Sequence, residues 1–158
     1  MKKLLLILFS VLSSGCTTAQ TNLSELLKEA NRVVINAIKI EVAKLKPAPA
    51  DAVRNNALNT PDTIAGFPVD GDLKSLPRER AITFAKDILD PKHYADILQR
   101  CANTSLIGIR FSSGDEIIEF AYSQPCMQAF WAMKINGVIQ FESAVLGPEY
   151  GKSILNSL

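Results

Sequence analysis

Apolar positions change their spacing several times along this chain, and each change marks an element. Residues 4–12 (LLLILFSVL) form an unbroken apolar run behind Lys2 and Lys3. From Leu23 the spacing becomes helical. Leu23, Leu26, Leu27, Ala30 and Val34 share one face, and Asn22 with Glu25 has capping-box spacing, which predicts a helix over 23–33. The next stretch reads two ways. Ile38, Ile40 and Val42 alternate with Lys39 and Glu41 as in a strand, whereas Val34, Ile38, Val42 and Leu45 also fit a helix. The density of β-branched residues favours a strand over 37–45. Residues 47–63 (PAPADAVRNNALNTPDT) lose periodicity, and Pro47, Pro49 and Pro61 limit regular structure, so a mobile connection is expected. Ser75 with Pro77 then marks a helix start, and Ala81, Ile82, Ala85, Ile88 and Leu89 form its apolar stripe. Asp90-Pro91 breaks that helix and begins a short one, with Asp90 as cap and Tyr94, Ile97 and Leu98 as its buried side.

The second half alternates with period two. SLIGIRF (105–111) and EIIEFAY (116–122) flank the turn sequence Ser112-Ser113-Gly114-Asp115. A two-residue loop at Ser113-Gly114 would set Ile109 opposite Ile118 and Ile107 opposite Phe120. Apolar side chains then meet on one side, while Arg110 and Glu119 become diagonal neighbours on the other. Continued outward, that register brings Cys101 opposite Cys126. A second hairpin follows at Asn136-Gly137, the strongest short turn signal, joining Gln128–Ile135 to 138–145. One face carries Phe130, Ala132, Ile139 and Phe141, and the other Trp131, Met133, Ile135 and Val138. Both faces are apolar near the turn, and burial in a core accounts for this better than a binding patch. Gly147-Pro148 ends the strand ahead of a short C-terminal helix (EYGKSILNSL). The expected fold is α+β in two layers: an antiparallel sheet of the two C-terminal hairpins plus the 37–45 strand, with helices on one face.

The first run belongs to a different category. Two lysines, an apolar stretch too short to span a bilayer, and the small residues Ser13, Ser14 and Gly15 give the order of a secretory signal. Leu12-Ser13-Ser14-Gly15-Cys16 resembles the lipobox of bacterial lipoproteins, with Leu one position further from the cysteine than usual. That resemblance implies removal of residues 1–15 and lipidation of Cys16, with 16–22 as a tether and 23–158 as one α+β domain. Cleavage after Ala19 is the alternative. Acyl chains add about 0.8 kcal/mol per buried methylene, so several on Cys16 would hold the chain to a lipid bilayer. Thr17 follows the cysteine, and in Gram-negative lipoproteins a residue other than Asp there implies the outer membrane. Three cysteines are awkward in an oxidising compartment, and lipidation of Cys16 leaves Cys101 and Cys126 as a pair. Loss of 1–15 leaves 15 basic against 16 acidic residues, which argues against nucleic-acid binding.

Motifs of catalysis are sparse. Gly151-Lys152-Ser153 has the end of a phosphate-binding loop, but Leu146 stands where its first glycine belongs. His93 is the single histidine, so no histidine zinc site can form, and a cysteine site would compete with the bridge. Asp70 and Asp72 lack the further ligands of a calcium loop. No cofactor or metal is expected. A serine hydrolase could still use His93 with a distant serine and acid, although GxSxG is absent.

Residues 37–135 as a whole resemble small exported bacterial lipoproteins of uncharacterised function with a cysteine-framed hairpin. The similarity rests on IKIEV, AGFPV, ERAITFAKDIL, and the span from Cys101 to Cys126 around IRFSSGDE. It brings no activity and no site residues. The sequence thus favours a non-enzymatic cell-envelope lipoprotein that binds or inhibits an envelope protein, anchored through Cys16 to the outer membrane and facing the periplasm. A small envelope hydrolase built on His93 is the alternative.

Overall fold

A computed structural model describes residues 23–95, 101–147 and 149–151. The signal-like segment and Cys16 lie outside the described residues, as do Ile97, Leu98 and most of the expected C-terminal helix. In chain order the elements are α1 (Leu23–Ile35), β1 (Lys39–Leu45), α2 (Ala50–Asn56), β2 (Thr63–Ile64), β3 (Phe67–Pro68), β4 (Lys74–Ser75) and α3 (Arg78–Leu89). A 3-10 turn (Pro91–His93) leads into β5 (Tyr94–Ala95), and the long strands follow as β6 (Leu106–Ser113), β7 (Glu116–Ser123), β8 (Gln128–Ile135) and β9 (Val138–Leu146).

The fold is α+β, with an antiparallel sheet in the order β4-β1-β6-β7-β8-β9-β5. The sheet is larger than the sequence suggested, because two-residue strands extend both edges. Such strands have no periodicity to read; β4 exists because Ser75 pairs with Glu41 in β1, not as the start of a helix. Helix α3 starts after Pro77, whose fixed φ of −58° suits a helix entrance, and Phe84 replaces Ile82 in its buried stripe.

One face of the sheet is covered by α1 and α3. Leu26, Leu27, Ala30, Val33 and Val34 of α1 and Phe84, Ala85 and Ile88 of α3 pack on Ile109, Phe111, Phe120, Trp131 and Met133. Rings Phe84–Phe120 and Phe120–Trp131 lie 5.9 and 4.6 Å apart. Each such side chain contributes about 1.5–3 kcal/mol by leaving water. The opposite face is not bare. The 47–63 connection holds helix α2, whose Val53 and Ala57 pack with Ile64, Phe67 and Phe130 over the small side chains Ala43, Ala121 and Ala132. The expectation of an unstructured connection is therefore corrected, and α2 with the β2–β3 pair adds a thin layer.

Two glycines allow that layer to close down. A Cβ on Gly108 would sit 2.7 Å from Leu45 Cδ1 and 2.8 Å from Ile64 Cγ2. At Gly66, with φ +82°, it would lie 1.8 Å from the Val53 carbonyl oxygen, so α2 can rest on the 65–66 backbone only because Gly66 has no side chain.

The first hairpin differs in register from the expectation. Ser113 pairs with Glu116, so Gly114-Asp115 forms the loop, with Gly114 at φ +60° in its first central position. Ile109 faces Phe120 and Arg110 faces Glu119 directly. The shift preserves which side chains share a face. Its physical reason is the Arg110–Glu119 pair, which only the observed register makes directly cross-strand. The second hairpin matches its expected turn and strands, with Asn136 and Gly137 both at positive φ.

Candidate functional site

Helix α2 is short, and its sequence divides it sharply. Val53 points into the protein, while its neighbours Asp51 and Arg54 are exposed. Asp51 lies in the first turn and Arg54 in the last, each at the helix end that favours its charge. Between this helix and the outer strands runs a groove of about 460 Å³, within the usual range of ligand pockets. Phe67, Phe130 and Phe141 supply its apolar surface. Phe67 meets Phe130 edge-on at 4.9 Å, and the Arg54 guanidinium carbon lies 5.9 Å from the centre of the Phe141 ring, an arrangement that favours a cation over the ring face.

Polar groups surround that apolar floor with both signs of charge. Asp51 and Arg54 supply them from α2, whereas Glu142 on β9 lies across from Trp131 on the sheet's other face, where burial holds it above the usual carboxylate range, an effect that Arg54 partly offsets. Asn103 lines the end of the groove, and its Oδ1 is buried without a hydrogen-bond partner among the described residues. A buried acceptor of this kind costs about 1–3 kcal/mol unless a donor reaches it. Chemically, the groove can accept an apolar side chain, a hydrogen-bond donor at Asn103 and charge of either sign at its rim.

The bridge expected between Cys101 and Cys126 is present, with Cα atoms 5.6 Å apart. Its geometry differs from the register argument, since the observed ladder would oppose Cys101 to Gln128. The ladder stops at Leu106 and Ser123. Gln124 N then donates to Ser105 O at 3.2 Å, and the turn after β7 brings Cys126 back under Cys101. Cys101 and the neighbouring Asn103 form one end wall of the groove, so the bridge fixes that wall to the sheet.

Further along the same face, charges serve the fold. Glu119 is 1% exposed and accepts from Arg110 Nε at 2.8 Å and from Ala65 N at 2.7 Å. Arg110 also donates to the carbonyls of Pro61 and Thr63. Burial raises the Glu119 pKa, and Arg110 only partly offsets this. The pair clips the 61–65 segment onto the sheet, with its polar atoms committed to protein partners.

His93 lies elsewhere, beside α3. Its Nδ1 donates to the Asp87 carbonyl at 2.7 Å, its Nε2 stands 3.7 Å from Asp90, and its ring stacks on Tyr150 at 3.4 Å. Asp90 caps the 3-10 turn by accepting from Lys92 N, as its sequence position indicates. These contacts tie the end of α3 to residues 149–151. Gly151 packs so tightly on Tyr122 that a Cβ would fall 1.8 Å from the hydroxyl oxygen, which gives it a packing role in place of a phosphate-loop one.

No sequence motif marks Arg54, Asp51 or Asn103. The available signal was the Val53/Ala57 spacing behind Pro49, which is faint in a proline-rich stretch. Among the described residues no helix is long and apolar enough to cross a membrane, and no group of three or more side chains could hold a metal ion. No protein family, curated protein or solved structure matches the chain, so the geometry alone must carry its functional reading.

Proposed function

We propose that this chain is a non-enzymatic cell-envelope lipoprotein, held to the bilayer through Cys16, whose groove beside α2 binds a segment of an envelope protein. The observation that carries the binding role is the groove itself: an apolar floor of Phe67, Phe130 and Phe141 with Arg54 and the unpartnered Asn103 acceptor at its margin. An extended peptide offers the matching chemistry, since its side chains fill apolar space and its N–H groups donate. The mixed signs of Arg54 and Asp51 at the groove suit a protein segment better than a polyanion. The anchor rests on the charged, apolar, small-residue order that ends at Cys16.

The test joins both halves. Cys16→Ser should move the protein from the membrane fraction to the soluble one while leaving partner capture intact. Arg54→Glu with Phe141→Ala should abolish capture at an unchanged melting temperature. A soluble wild-type protein beginning at Gln20 would refute the anchor, and undiminished capture by the groove variant would refute the binding site.

A further inference from the structure

Strand β9 is paired on its inner side with β8 along Val138 to Val145. On its outer side, among the described residues, β5 pairs only with Val145 and Leu146. Among the described residues, 138–144 therefore have no strand on their outer side and present a sheet edge. Val138 and Ile139 on it are 57% and 55% exposed. The stretch VIQFESA contains no Lys, no Pro and no bulge, the features that ordinarily blunt an edge against pairing.

The turn fixes which groups face outward. With Asn136 and Gly137 as a two-residue loop, Ile135 and Val138 form a hydrogen-bonded pair. Ile139, Phe141 and Ser143 then turn their N–H and C=O groups away from β8. Gly147 confirms the phase, because its outward N–H donates to His93 O at 2.9 Å.

We infer that this edge pairs with the same edge of a second copy of the chain, antiparallel and centred on Phe141. Residue 141 then meets its own counterpart, and Ile139 meets Ser143 of the second copy, giving about six inter-chain hydrogen bonds. On the groove face the two Phe141 rings become cross-strand neighbours. On the other face Gln140 opposes Glu142 of the second copy, and Val138 opposes Ala144. Glu142 is the only charge in the stretch, and this register never sets it against itself. The pairing also ends at 144, where β5 takes over the edge at Val145. This match of length, phase and chemistry selects a second copy over an unrelated strand, and it sets two grooves side by side. It stands independently of the proposed partner.

Site-specific crosslinking of the full chain in mild detergent, in a Cys16→Ser background, reads the register. Phe141→Cys should give a disulfide-linked dimer, since directly paired Cα atoms lie about 5.5 Å apart, inside disulfide range. Ile139→Cys should crosslink at least tenfold less, although Ile139 is highly exposed, because two copies of it would stand about 14 Å apart. Sedimentation should find the unmodified chain dimeric, and Ile139→Pro, which deletes one outward N–H, should weaken the dimer at least tenfold at unchanged thermal stability. A monomer at every concentration, stronger crosslinking from position 139, or a dimer indifferent to Ile139→Pro would overturn the inference. So would a foreign strand found on this edge while the chain alone remains monomeric.

Discussion

The two faces of the sheet are held by different forces. Under α1 and α3 the contacts are large and apolar: Phe111, Phe120, Trp131 and Met133 are each at most 1% exposed. Under α2 the sheet offers Ala43, Ala121 and Ala132, and the thin layer is held by directional bonds from Arg110 and Glu119, while the Cys101–Cys126 bridge fixes the end wall of the groove. Small side chains leave room there for a groove. One face thus supplies stability through area, whereas the other fixes positions with few, specific bonds and keeps a surface open.

The largest effects should separate these mechanisms. Phe120→Ala on the helical face should cost about 3–5 kcal/mol in urea unfolding, from lost transfer energy and a cavity. Glu119→Ala should cost a similar 3–5 kcal/mol for a different reason, because it strands Arg110 buried without its partner. Arg110→Met with Glu119→Leu should recover most of that loss, since two apolar groups leave no orphaned charge. A double variant as unstable as Glu119→Ala alone would show that packing, not pairing, holds this face.

Removing the bridge comes next. Cys101→Ser with Cys126→Ser should cost about 3.5 kcal/mol in the chain-entropy account of a loop of this length. Partner binding should fail only as folding fails, and thiol titration of the unfolded, unreduced chain should find neither cysteine free. Loss of binding from one Cys→Ser change at unaltered stability would make the bridge more than structural.

His93→Ala should cost about 1–2 kcal/mol, for a lost hydrogen bond and ring stack, and should leave partner binding unchanged. A hydrolytic activity that disappears in this variant would instead restore the catalytic reading of His93.

The smallest effect is a pH slope on the polar face. The Glu119 pKa is raised in the folded state, so the folded chain binds more protons than the unfolded one between the two values. The contribution of Glu119 is then fully present below the unfolded value of about 4.3 and is lost as pH rises through the folded value. Glu119→Gln should remove that part of the slope, whereas a helical-face variant should keep it.

Much of the helical face was legible in the sequence because its signals are local. Leu26, Leu27, Ala30 and Val34 announce α1, and Asn136-Gly137 announces the second hairpin within two residues. The first hairpin was half legible. Ser112-Ser113-Gly114-Asp115 permits loops at two positions, and the choice falls to Arg110 opposite Glu119 with Ala65 N–H as a third partner, 54 residues away. The groove was illegible for the same reason. Its walls come from α2, the Cys101 segment, β8 and β9, and Val53 finds its apolar neighbours in residues distant in sequence, among them Ile64, Phe67 and Phe130. The Cys101–Cys126 bridge was anticipated and is present, but the hairpin register offered in its support is not the observed one.

The central claim, that the α2 face is the working surface and the helical face is not, has one direct test. A photo-crosslinking side chain placed at Arg54 on α2, or in parallel at Glu29 on the exposed side of α1, would be activated in intact cell envelopes and its adducts identified by mass spectrometry. The account predicts one dominant protein adduct from position 54 and none from position 29. Adducts from position 29 alone, or none from position 54 under conditions where the chain is folded and bridged, would contradict it.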